Sequence, residues 1–167
     1  MSIVKIPYEF IRQRVELSWN EINFGIDHLL MAPDAAIGKA TEQLCATGPA
    51  PKEVVELASL TEGESVANLV LRLAQTETSP EDGHVKAKWL YLVLAWLYEN
   101  CEMLVDPLGL VEEVYSDFDY PREITPFVRY MPMVGPDLAN REQNEARMFD
   151  NWKVYLDEAG KRFGRSA

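Results

Sequence analysis

Only two cysteines and two histidines occur in the sequence, and their scarcity removes several kinds of chemistry. Cys45 and Cys101 lie far apart with no CxxC spacing, which excludes a local zinc knuckle or redox pair. Each sits in a helical apolar pattern, so both are expected to be buried as small hydrophobes. His28 and His84 form neither HxxxH nor HExxH, so a metal centre would have to gather ligands from distant positions. The nine glycines are scattered and give no GxGxxG, GxxxxGK or GxSxG, the loops that cradle phosphate or carry a nucleophile. No cofactor and no metal is expected, and catalysis has no positive support.

Long hydrophobic runs are also missing. A bilayer span needs roughly 18–20 apolar residues, and the best candidate, Trp89 to Leu97, is about half that before it meets Glu99 and Glu102. Met1 to Phe10 lacks the basic start, apolar stretch and cleavage site of a secretory signal. The expectation is a cytoplasmic protein without a membrane partner. Basic residues are the other shortage, with 16 Lys and Arg against 27 Asp and Glu and a formal net charge of -11 at pH 7. That field repels a phosphate backbone, so nucleic acid is excluded as a partner. It would attract a basic protein and raise its encounter rate, while acidity also serves solubility on its own. Both readings stay open at this point.

What is present is a hydrophobic fraction of 47%, enough to take the chain out of the disordered class. Its 167 residues fit one domain, expected to span 1–167, able to bury a core without disulfides. The punctuation predicts helices almost throughout. Pro7 opens a short one, and Ser18 with Glu21 has the S-x-x-E form of a capping box ahead of Ile22, Ile26, Leu29 and Leu30. Pro33-Asp34 enters a third, with Ile37, Ala40, Thr41 and Leu44 inward and Gly48 as its stop. A fourth covers Lys52 to Leu60. Thr61 and Glu64 form a second capping box before Val66, Leu69, Val70 and Leu73.

Ser79-Pro80-Glu81-Asp82 starts a sixth helix, whose stretch from Trp89 to Tyr98 is apolar on every side and therefore belongs at the centre of the fold. A buried strand is the rival reading of that run, disfavoured by its Leu, Ala and Trp content. Asp106-Pro107 begins a seventh, carrying Leu108, Val111, Val114 and Tyr115. From Asp117 to Pro136 the prolines Pro121, Pro126, Pro132 and Pro136 forbid an ordinary helix, so an ordered loop with extended pieces is predicted. Tyr120-Pro121 is an aromatic–proline pair of the type that admits a cis bond. A long last helix runs from Asp137 to Phe163, packing through Leu138, Met148, Trp152, Tyr155 and Leu156. The fold class is all-α: one compact multi-helix domain with a central apolar helix and a proline-rich loop before a long C-terminal helix.

One segment stands out for function. From Glu99 to Glu123 there are eight acids and one base, Arg122, leading into Tyr115, Phe118, Tyr120, Phe127 and Tyr130. Rings surrounded by carboxylates can form an interface, the rings giving buried area and the acids pairing with Arg or Lys. They can equally face the core while the acids face water. The candidate partner-binding residues are Glu112, Glu113, Tyr115, Asp117, Asp119, Tyr120 and Glu123.

The sequence resembles a bacterial family of uncharacterised conserved proteins, domain of unknown function 2247. The resemblance is carried by Leu17 to Ile22 with Gly25, by Val54 to Leu60, by Trp89 to Asn100, and above all by Val114 to Pro121 followed by Phe127 to Pro132. It implies a small all-helical bacterial protein and supplies no catalytic residues. Small acidic families of this type resemble immunity proteins that neutralise secreted toxins, many of them basic nucleases. The leading expectation is therefore a cytoplasmic immunity protein that occludes the active site of a cognate toxin. Two other classes remain: an adaptor or regulator binding a cellular protein, and an enzyme with Glu21, Asp27 and Asp117 gathered around a divalent metal.

Overall fold

Residues 5–46, 49–61, 63–78, 83–131 and 140–164 are described in the computed structural model. All regular structure among them is helical, as the punctuation predicts, and no strand occurs. The chain divides into two compact units, Met1–Val85 and Lys86–Ala167, with the boundary just inside the sixth helix.

The first unit holds α1 (Tyr8–Arg14), α2 (Trp19–Asp27), α3 (Asp34–Ala46), α4 (Lys52–Ser59) and α5 (Ala67–Thr76). α3 packs on α4, and α5 on both α2 and α4. The buried pairs Ile22 and Gly25 on α2, Val54 and Leu57 on α4, and Val70 and Leu73 on α5 each stand three residues apart, on one face of a short amphipathic helix. The N-terminus of α2 is unusually well capped. Ser18 Oγ accepts from the Glu21 N–H, and Glu21 Oε1 accepts from the Ser18 N–H, completing the predicted box. The Glu77 carboxylate, from just beyond α5, accepts from the N–H groups of Trp19 and Asn20 at 3.0 and 2.8 Å. A negative charge on a helix start also complements the helix dipole.

Several expectations need correction here. Leu29 lies beyond the end of α2 and is 52% exposed, and on α3 Thr41 and Leu44 are exposed while Ala35, Ala36 and Ala40 are buried. The stripe of α3 is thus one of small residues that lets the helix approach closely. Cys45 is exposed and Cys101 partly so, hence neither is a core residue. The second capping box is half made. Glu64 Oε2 accepts from the Thr61 N–H, but Gly63 has φ 91°, a left-handed conformation that halts a helix, and α5 starts at Ala67. Gly48 and Ser79 to Asp82 fall outside the described residues.

The second unit contains most of α6 (His84–Glu99), then α7 (Pro107–Asp117), a 3₁₀ helix at Arg122–Phe127 and α8 (Arg141–Phe163). Trp89 to Ala95 and Leu97 are all buried on α6, so the run is a central helix and not a strand. α8 packs against α6 through Tyr98 edge-on to Trp152 and Tyr91 beside Phe163. Phe127 stacks on Trp152 at 5.9 Å between ring centres, docking the 3₁₀ helix on α8, and Asn151 donates to the Pro126 carbonyl at 3.2 Å. The predicted extended pieces are therefore in part a 3₁₀ helix, a tighter form that can carry Pro126. The Tyr120-Pro121 bond is trans. α8 begins at Arg141, with Asn140 as its side-chain cap; Asp137 and Leu138, and likewise Pro132 and Pro136, lie outside the described residues.

Candidate functional site

α7 has two dissimilar faces. Leu108, Val111, Val114 and Tyr115 are buried, whereas Gly109, Glu112, Glu113 and Ser116 share the opposite side at helical spacing. That side forms one wall of an open cleft of about 630 Å³, whose remaining lining includes Val105, Asp106, Arg129 and Tyr130.

Arg129 organises this cleft. Its Nη1 and Nη2 donate to the two carboxylate oxygens of Asp106 at 3.2 and 2.9 Å, and its Nε donates to Glu112 at 3.0 Å. A planar guanidinium suits such a fork, with two parallel bonds to one carboxylate and an edge for another. The bonds from Arg129 hold the Asp106 carboxyl below its usual range, against the opposing effect of desolvation. Glu112 and then Asp106 push the Arg129 guanidinium higher still. Gly109 makes the arrangement possible, because a Cβ there would sit 2.9 Å from the Asp106 carboxyl carbon.

At its other end α7 stops in a Schellman turn. The Tyr120 N–H donates to the Tyr115 carbonyl at 2.8 Å and the Asp119 N–H to the Ser116 carbonyl at 3.3 Å. Asp119 and Tyr120 both have left-handed backbones, with φ of 60° and 59°. The Asp119 carboxylate pairs with the Lys86 ammonium. The Tyr120 ring meets Tyr115 edge-on at 5.2 Å, and Tyr115 in turn meets Tyr130 at 5.9 Å. Tyr115 is 7% exposed, while Tyr120 and Tyr130 are 59% and 58% exposed. One buried ring thus supports two that face solvent. Partial desolvation, with Tyr115, Tyr120 and Glu112 nearby, pushes the Tyr130 phenol above its ordinary value. Met103 and Val105, just before α7, add two further large exposed side chains.

The seven residues singled out in the sequence separate accordingly. Glu112 and Glu113 line the cleft, Tyr115 lies beneath its aromatic rim, and Tyr120 is on that rim. Glu112 is committed to Arg129 and Asp119 to Lys86, while Glu113 is exposed with no ion pair among the described residues. Asp117 is the half-buried last residue of α7. Glu123 borders a different cleft, of about 460 Å³, with Tyr155, Glu158 and Arg162. Sequence reasoning missed Asp106, Arg129, Val105 and Met103, and did not place Tyr130 in the site. Asp106 counts among the eight acids of the Glu99–Glu123 segment and opens a helix, but nothing in the sequence marks it as a partner of Arg129. The pairing of Arg129 with residues 17 and 23 positions earlier leaves no periodic trace.

Among the described residues no three His, Cys, Asp or Glu are grouped to hold a metal ion, and Glu21, Asp27 and Asp117 make no such group. His28 stacks on Phe24 at 3.9 Å, and His84 Nε2 lies 3.9 Å from Glu21 Oε2. No helix among the described residues is long and apolar enough to cross a membrane.

No curated protein and no solved structure matches the chain. A family model does, across residues 8–160, described as an uncharacterized protein conserved in bacteria. The chain therefore belongs to that bacterial family, domain of unknown function 2247.

Proposed function

We propose that the protein acts by binding another protein, as an immunity protein that covers the active site of a basic toxin in the bacterial cytoplasm. The observation that carries this reading is the pair of exposed rings, Tyr120 and Tyr130, braced by buried Tyr115 at the edge of an acidic cleft. Tyrosine gives a large contact area at little conformational cost, and rings held in place beforehand lose less on binding. The net charge of -11 supports the choice of a basic partner by steering its approach. Neutralisation by occlusion requires no chemistry from this chain.

The test is a growth assay in which the polypeptide domain encoded immediately upstream is expressed with and without this protein. Rescue of otherwise dying cells is the expected result. Tyr120→Ala and Tyr130→Ala proteins that remain folded should lose toxin affinity by about tenfold or more, as central aromatic contacts do. Rescue that never occurs, or affinity unchanged within about 0.5 kcal/mol in both variants, counts against the reading.

A further inference from the structure

We infer that the cleft on α7 receives an arginine side chain of the protein partner, held between the Tyr130 ring and the Glu113 carboxylate. This rests on the protein-binding reading above and adds the chemistry of one contact. The charges in the cleft do not balance. Asp106, Glu112 and Glu113 share the described lining with one cation, Arg129, while Arg141 acts on Asp106 through its charge from outside that lining. Arg129 is bonded to both Asp106 and Glu112, so of the three carboxylates Glu113 is the one that is exposed and without an ion pair among the described residues.

The surroundings of that carboxylate favour a guanidinium. Leu110 and exposed Val105 offer apolar surface for a methylene stem, while Tyr130 presents a ring for a planar cation to lie on. An ammonium gains less, being strongly hydrated and unable to stack or bond as a fork. Arg129 shows the same chemistry within the chain, since two carboxylates of this wall already hold a guanidinium at 2.9–3.2 Å. The cleft, about 630 Å³ and open, has room for one more. A tyrosine phenol is neutral at physiological pH, and its surroundings push that of Tyr130 further up, so the ring offers a stacking surface.

The experiment is a nuclear magnetic resonance titration of the full chain with two blocked amino acids, N-acetyl-arginine N-methylamide and its lysine counterpart. Saturable shifts are expected at Gly109, Glu113, Ser116 and Tyr130, with the arginine probe bound at least about threefold more tightly. Glu113→Gln should abolish them, and Glu56→Gln on α4 should change nothing. Should Glu113→Gln fold poorly, Tyr130→Leu serves instead, and the preference for arginine over lysine should disappear. Shifts that never saturate, equal responses to both probes, or an unaltered titration in the variants overturn the inference. If that happens while toxin affinity still depends on Tyr120 and Tyr130, the arginine contact falls and protein binding stands. If arginine selectivity is found but no toxin is neutralised, the immunity reading falls instead.

Discussion

α2 in the first unit and α7 in the second stop in the same way, on a left-handed residue that is not glycine. After α2 the Leu30 N–H reaches the Gly25 carbonyl at 2.8 Å and the Leu29 N–H reaches Ile26 at 3.1 Å, the same Schellman pattern that Asp119 and Tyr120 make after α7. Leu29 has φ 58°. Each such residue costs about 1–2 kcal/mol of backbone strain. At α2 that cost has no visible return, since the Leu29 side chain is exposed. At α7 it is spent twice in succession, yet the first residue is an aspartate, which tolerates the conformation better and pairs with Lys86. The second presents Tyr120 to solvent, against Tyr115. Identical hydrogen bonding therefore carries strain that is bare in one unit and tied into side-chain contacts in the other. Strain of the second kind is common where a surface has to be held in readiness.

The contrast can be broken most forcefully at Tyr115. Tyr115→Ala should cost about 3–5 kcal/mol and release both exposed tyrosines, with the loss read by chemical denaturation. Removing the exposed Leu29 side chain with Leu29→Ala should change stability far less. A stability loss below about 1 kcal/mol at Tyr115 would mean that it does not brace the rim.

Leu29→Gly and Asp119→Gly sharpen the comparison. Glycine relieves strain at both positions, less the entropy it adds to the unfolded chain. Leu29→Gly should stabilise by about 0.5–1 kcal/mol, raising the melting temperature by about 2–3 °C. Asp119→Gly also loses the exposed ion pair to Lys86, so its net effect should stay within about 0.5 kcal/mol of zero. Equal stabilisation by both changes would show that the aspartate contributes nothing beyond its backbone.

The smallest effect is expected at the beginning of α7. The Asp106 carboxyl is depressed in the folded protein, so its contribution to stability is complete above the unfolded value of about 3.9. It is lost as pH falls below that and through the folded value. The melting temperature should therefore decline more steeply below about pH 4 in the native protein than in Arg129→Gln. Parallel acid profiles for the two proteins would remove the clamp from the account.

Local signals carried much of the fold. Ser18 with Glu21, Pro107 opening α7 and the wholly apolar run on α6 each combine their cues within a few residues, and each forms as the sequence predicts. The failures are of two kinds. At Thr61 and Glu64 the motif is intact, but Gly63 turns the backbone the wrong way between them, and a spacing rule ignores φ. On α3 the expected inward set of Ile37, Ala40, Thr41 and Leu44 holds fully only at Ala40, which is buried together with Ala35 and Ala36, because close helix packing selects small residues. The candidate site was legible as a segment and not as a surface. Acids and aromatics could be counted along the chain, yet which acids were already engaged depended on Arg129 and Lys86, and which ring was covered depended on the end of α7.

The carboxylate of Glu77 on the start of α2 has a consequence for the order of events in synthesis. When α2 first emerges, two of its N–H groups lack their acceptor, which follows 57 and 58 residues later in the chain. A short isolated helix is marginal in water, and α2 has only nine residues. α2 should therefore stay largely unformed on the ribosome until α5 has been completed and has closed the long loop between them, a step that trades chain freedom for capping and packing together. A chain that has emerged only as far as Thr76 leaves the first unit without its clasp, and one that has emerged past Glu77 has the carboxylate that caps α2.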